Sequence, residues 1–285
     1  MPFAVKGRNQ VENMKKLICI VFALALLAPL ASWAKNAEIM MLPTRVVMEK
    51  ADRFSTVVIK NTGDAAGDFN IDLVDMKMEE SGMVVPYAAG ETPQFSAIPY
   101  IHIAPKSVTL KPGESQNVRL MLHKPENLEA GEYRSHLQVR LINDNADETK
   151  APNKDAVISV KTNLVIVIPV ILRNGDTNLT VGIEQPKLAR DKGGNPTVDM
   201  YLTRQGNRSS MGDISVTCSQ GGAAPQVIKF FPGVAVYRPT AKRFISVPLD
   251  ETPKNVNLSA CKLGVSYAAQ QKDGGGKLAE AAVGR

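Results

Sequence analysis

The stretch Ile101–Arg140, IHIAPKSVTLKPGESQNVRLMLHKPENLEAGEYRSHLQVR, decides the fold class of this chain. Val118, Leu120 and Leu122 alternate with Asn117, Arg119 and Met121, the period of two expected of a sheet with one buried face. Lys111-Pro112-Gly113 ahead of that strand reads as a tight turn, because proline presets φ and glycine accepts a positive φ. An extended segment follows Ala104-Pro105, and a further strand runs from Arg134 to Leu141. No residue type suited to catalysis is concentrated here.

The same signals continue on both sides. Upstream, Arg45–Met48, Arg53–Ile59 and the alternating Phe69, Ile71, Leu73 read as strands, with Asn61-Thr62-Gly63-Asp64 as a turn. Residues 76–97 read as a longer excursion with one irregular strand. Downstream of the polar loop 143–155, a long strand spans Ala156–Leu172. Its second half, LVIVIPVIL at 164–172, is continuously apolar and fits a strand buried on both sides, with Pro169 marking an edge or a bulge. About seven strands at this spacing indicate a sandwich of the immunoglobulin class, covering residues 35–172. Arg173-Asn174-Gly175-Asp176 reads as a short hinge, and a second β-domain occupies 173–270. Its strand candidates are 179–183, 198–203, 214–218, 227–231, 234–237, 244–249 and 263–267. The tail 271–285, QKDGGGKLAEAAVGR, lacks apolar periodicity and is expected to be disordered. The expected fold is all-β: two immunoglobulin-like β-sandwich domains joined by a short hinge.

The N-terminus sets the compartment. Lys15-Lys16 precedes the apolar run Leu17–Leu30, and Ala31-Ser32-Trp33-Ala34 offers small residues for cleavage, so residues 1–34 read as a signal peptide. The run is interrupted by Pro29 and falls short of the ~20 apolar residues of a membrane span, so no membrane insertion of the mature chain is expected. The true start is either Met1 or Met14. Residues 1–34 hold four of the 34 basic and one of the 28 acidic side chains, so cleavage lowers the net charge from +6 to +3. A scattered charge of that size argues against nucleic acid as a partner. Of the three cysteines, Cys19 leaves with the signal, and Cys218 and Cys261 remain as a natural disulfide pair of an exported protein. Two cysteines without nearby histidines make a poor metal set. His102, His123 and His136 show no ligand spacing and read as satisfied strand or turn residues.

No GxSxG, HExxH or GxxxxGK[ST] motif occurs. The acidic neighbours Asp72 and Asp75, or Glu79 and Glu80, read as solvated strand-edge groups, and Ser209-Ser210 as a turn. The chain is therefore not expected to be an enzyme, and no cofactor or metal is implied. Recognition by strand addition fits better: an exposed edge offers unpaired N–H and C=O groups, and alternate side chains set the register. Ala156, Ile158 and Val160 supply an alternating apolar row suited to that task. The same pattern also describes ordinary core residues of a last strand.

At this point the layout resembles the periplasmic PapD-like chaperones of the chaperone–usher pathway. The ordered set Ile103, Pro105, Leu110, Pro112, Gly113, Gln116, Val118 and Arg119 carries the resemblance, followed by Glu132, Gln138 and Arg140. Tyr133-Arg134-Ser135-His136 stands where the family is aromatic-rich, which marks a divergent branch. The resemblance implies a periplasmic chaperone that binds a pilin subunit by donor-strand complementation and hands it to an outer-membrane usher. Ala156, Ile158 and Val160 would then be donor-strand residues, and Glu132 and Arg140 fold-supporting polar groups. The family anchors the subunit's C-terminal carboxylate with an arginine and a lysine. Arg45 falls on the arginine position; the lysine is expected near Leu164 or Val165, and either Lys161 or Arg173 substitutes for it or this branch anchors its subunits differently. The alternative is a structural or adhesive surface protein built of immunoglobulin-like modules.

Overall fold

Alternation along each strand sorts its side chains onto two faces, and this sorting builds the layers of the protein. The computed structural model describes residues 36–49, 51–142, 164–250 and 256–284. Its first half contains β1 (Ile39–Leu42), β2 (Val46–Met48), β3 (Phe54–Asn61), β4 (Gly67–Val74), β5 (Met76–Met78) and β6 (Val84–Pro86). These are followed by β7 (Ile101–Ala104), β8 (Ser107–Leu110), β9 (Ser115–Leu122), β10 (Gly131–Ile142) and β11 (Val165–Asn174). One sheet has the order β1-β3-β9-β7 and the facing one β2-β11-β10-β4-β8. With the first strand switching sheets between β1 and β2, this is the immunoglobulin arrangement. Val57, Ile59, Val118 and Leu120 from one layer and Phe69, Ile71, Leu137 and Val139 from the other are completely buried. Truncating any of the larger ones to alanine would cost about 2–5 kcal/mol.

The second half repeats the plan with β12 (Thr180–Arg190), β13 (Pro196–Gln205), β14 (Ser210–Ser219), β15 (Gln226–Val236), β16 (Lys242–Pro248), β17 (Lys262–Ala269) and β18 (Lys277–Ala282). Its sheets are β12-β13-β16 and β15-β14-β17-β18. Val198, Leu202 and Val247 from one layer pack with Ile214, Val216 and Tyr267 from the other. The expected disulfide is formed, with Cys218 and Cys261 at a Cα–Cα distance of 5.2 Å. Both sandwiches belong to one compact unit, 37–285.

Three local readings are corrected. The tail is not disordered between Gln271 and Gly284. Gly274, Gly275 and Gly276 take positive φ values of 105°, 66° and 84°, a backbone only glycine adopts freely, and they turn the chain into β18, which pairs with β17. Leu278, Ala281 and Val283 then pack on the core, and Gly284 bridges back to Lys187 of β12. Second, the expected strands 227–231 and 234–237 are one strand, β15, which ends at Val236 and whose pairing with β14 shifts register along its length. Third, the excursion after residue 75 carries a two-stranded hairpin, β5–β6, separate from both sandwiches' sheets. The expected donor residues Ala156, Ile158 and Val160, and also Lys161, lie outside the described residues.

Candidate functional site

Among the described residues, the last strand of the first sandwich has an open side. β11 pairs with β10 along its whole length, whereas β2 covers its other side only at Val170–Leu172. The Leu141 N–H donates to the Leu164 carbonyl at 3.0 Å. Backbone groups alternate sides along a strand, so Leu164, Ile166 and Ile168 face β10, and Val165, Val167 and Pro169 turn theirs outward. That open edge runs for five residues, roughly 16 Å at ~3.3 Å each. Pro169, which has no N–H to offer, sits at its end, as proline does on an edge. Val165 at its start is 44% exposed, so the strand is not buried on both sides throughout, although Ile168, Val170, Ile171 and Leu172 are.

Arg45 stands at the point where the edge closes. Since Val46 pairs with Val170 in parallel, Arg45 falls opposite Pro169, and only 9% of it is exposed. A guanidinium there needs a counter-charge, because an isolated buried cation is prohibitively costly. Asp273 supplies it: Arg45 Nη1 and Nη2 donate to Oδ1 and Oδ2 at 3.2 and 2.5 Å. Arg173, at the end of β11, donates Nη2 to the same Asp273 Oδ1 at 3.0 Å, Nε to Glu132 at 3.3 Å and Nη1 to Glu49 at 3.2 Å. Burial alone would raise the Asp273 pKa, but hydrogen bonds from Arg45 and Arg173 outweigh it and hold the carboxyl below its ordinary value. For Arg173, burial works toward losing the proton, and the bonds to Asp273 and Glu132 prevail, raising its pKa.

Arg173 is thus committed to three carboxylates of its own chain. Among the described residues Arg45 is bonded through its two Nη atoms to Asp273 alone, two of the five N–H donors that a guanidinium carries. Asp273 and Glu49 are the members of this group that the sequence reading missed, and Asp273 is the buried one. A lone acidic residue before a glycine run carries no signal of burial until the strand after it is placed.

Of the other expected site residues, Glu132 is 1% exposed and belongs to this network. Arg140 does not: its side chain is half exposed and 3.7 Å from Asp72, a surface pair worth little, so it is no structural counterpart of Glu132. His136 is buried; its Nε2 lies 3.2 Å from Arg134 Nη1, and its Nδ1 has no partner among the described residues, so the expectation of a satisfied histidine holds for one ring nitrogen. Burial, reinforced by neighbouring Arg134, lowers its pKa to about 3, so the ring is neutral near pH 7. Arg134 itself stacks on Tyr237 at 4.3 Å. Among the described residues no group of three or more His, Cys, Asp or Glu could hold a metal ion, and no helix is long and apolar enough to cross a membrane.

No family model matches the sequence, and no curated protein sequence matches it. Among solved structures, the chain is similar to several pilus chaperones. A chaperone–tip adhesin pre-assembly complex, CsuC–CsuE of the archaic chaperone–usher Csu pili of Acinetobacter baumannii, matches at 11% identity and a TM-score of 0.44, covering 87% of this chain and 99% of that one. The YadV chaperone matches at 13% identity and a TM-score of 0.43, covering 86% and 98%. The SafB chaperone–SafA pilin complex of Salmonella enterica matches at 11% and 0.42, covering 88% and 97%.

Proposed function

We propose that this chain is a periplasmic chaperone that binds a pilus or fimbrial subunit by strand addition to β11, with Arg45 receiving the subunit's C-terminal carboxylate. The observation that carries this reading is the open edge Val165–Pro169 ending beside Arg45. A strand laid on that edge collinear with β2 runs parallel to β11, as β2 does, so its C-terminus meets the first residue before β2, which is Arg45. Backbone hydrogen bonds would supply the affinity and the charge-assisted grip on a carboxylate the register. The apolar row Ala156, Ile158 and Val160 would extend the donated strand into the subunit's groove. Delivery to an outer-membrane usher, export by residues 1–34 and division into domains 35–172 and 173–270 complete the reading; the Cys218–Cys261 bridge is in keeping with an oxidising compartment.

The test is co-expression of the tagged chain with the exported fimbrial subunits of its source and isolation of a stoichiometric complex. Val167→Pro, which deletes an outward N–H without touching the core, and Arg45→Ala should each abolish the complex while the chain keeps its β-sheet circular dichroism. A complex that survives both substitutions would refute the site. A chain isolated alone, or as polymers of itself, would instead favour a structural surface module.

A further inference from the structure

The two-stranded hairpin β5–β6 leaves the first sandwich and ends on the second. Its base is held at home: Arg134 Nη2 donates to the Met76 carbonyl at 3.1 Å. Its far end is held by the segment joining β15 to β16 and by β16 itself. Thr240 Oγ1 donates to the Met78 carbonyl at 2.6 Å, and the Phe244 N–H donates to the Glu80 carbonyl at 2.7 Å. Met78, 6% exposed, packs in a small cluster of its own with Ile171, Ala235 and Tyr237, apart from either sandwich core. At the tip, Gly82 takes φ +87°, and a Cβ built there would fall inside the Arg243 guanidinium. Arg243 in turn donates Nη1 to the Ala235 carbonyl at 2.6 Å.

We propose that this hairpin is a clasp between the two sandwiches, with Met78 as its pin, and that it holds the cleft in which Arg45 and Asp273 meet. The placement of the cluster gives the reason. Ile171 lies on β11 two residues before Arg173, and Val47, packed against the same cluster, lies two residues after Arg45. Asp273 comes from the second sandwich and Arg45 and Glu132 from the first, so their bonds require a fixed relation between the two. The covalent link at Asn174–Asp176 turns on Gly175 at φ +63°, and the bonds beside it, from the Glu132 N–H to the Asn207 carbonyl at 2.9 Å and from Arg238 Nη1 to the Glu132 carbonyl at 3.1 Å, gather at that one end, which leaves rocking about it free. Met78 is a positioning residue that removes this freedom from the opposite side. The inference concerns the free chain and stands whether or not a subunit is its partner.

Two changes separate the pin from the tip. Met78→Asp places a charge in the apolar cluster. Replacing Glu79–Met83 by Asn-Gly, a two-residue hairpin turn, keeps Met78 but removes the Glu80 and Gly82 contacts. Residual dipolar couplings are measured on the full isotope-labelled chain, for amides of β3, β9 and β10 and separately for β13, β14 and β17. In the parent and in Met78→Leu both sets should fit one alignment tensor. In the chain carrying both changes they should require two, with each sandwich's dispersed spectrum retained and the slow exchange of the Arg45 guanidinium protons lost. A single shared tensor in the doubly changed chain overturns the clasp. Loss of dispersion in either sandwich overturns it too, since the hairpin would then be part of a fold rather than a tie between two.

Discussion

Deleting Arg45 tests the polar centre of the protein quantitatively. The Arg45–Asp273 pair is bidentate, with its shorter contact at 2.5 Å, and both side chains are almost wholly buried. Removing one partner of a buried ion pair costs about 3–5 kcal/mol when the other charge is stranded. Here Asp273 keeps Arg173 at 3.0 Å, so Arg45→Ala should cost less, about 2–3 kcal/mol, the worth of a hydrogen bond to a charged group. Asp273→Ala strands the buried Arg45 guanidinium, while Arg173 keeps Glu132 and Glu49, and should cost the full ~3–5 kcal/mol. The double variant should be more stable than the sum implies, with a coupling energy of about 1.5–3 kcal/mol. Urea unfolding at pH 7, followed by far-ultraviolet circular dichroism, measures all four corners of the cycle, and an unchanged slope with denaturant licenses the comparison. The coupling should persist in 1 M salt, where exposed charges are screened beyond about 3 Å but buried pairs much less. A coupling below ~0.5 kcal/mol, the additivity limit for independent sites, would refute the assignment of this pair as the centre of the network.

Three further outcomes are expected. The Asp273 pKa is lowered in the folded chain, so its contribution is present above the unfolded value near ~3.9 and is lost as pH falls through the folded one; acid titration should show this loss, and Asp273→Asn should abolish that part of the curve. Replacing Cys218 and Cys261 together by alanine opens a loop of sequence separation 43 and should cost up to about 4 kcal/mol by loop entropy, read as a lower urea midpoint; an unchanged midpoint would contradict it. Tyr267 is fully buried and its hydroxyl donates to the Val234 carbonyl at 2.8 Å. Tyr267→Phe should therefore lose about 1–2 kcal/mol, checked by thermal unfolding.

The fold was legible wherever one face of a strand is buried. Val118 and Leu120 alternate with polar residues because only their face meets Phe69 and Leu137, so the sequence carries the geometry directly. The tail hid because Ala279 and Ala281 are small and Gly274–Gly276 resemble a flexible linker; the turn they form is visible only once β17 offers a partner. Of the site, Arg45 and Glu132 were reached through a resemblance and Arg173 as a hinge residue or substitute anchor. Arg140 lies half exposed beside Asp72, outside the buried network; a charged strand residue reads alike on a surface and in a core.

By itself the sequence determined most of the strands, the pairing of Cys218 with Cys261 and the immunoglobulin-like plan, since these follow from local periodicity, turn chemistry and the parity of cysteines. Only the tertiary structure decided that Asp273 neutralises Arg45 across 228 residues of chain, that β2 leaves half of β11 open, and that Met78 reaches the other sandwich. Each of these is a meeting of groups remote along the chain. A buried charge fixes how strongly a partner is needed, but not which residue provides it; that is settled when the two sandwiches are brought to one place.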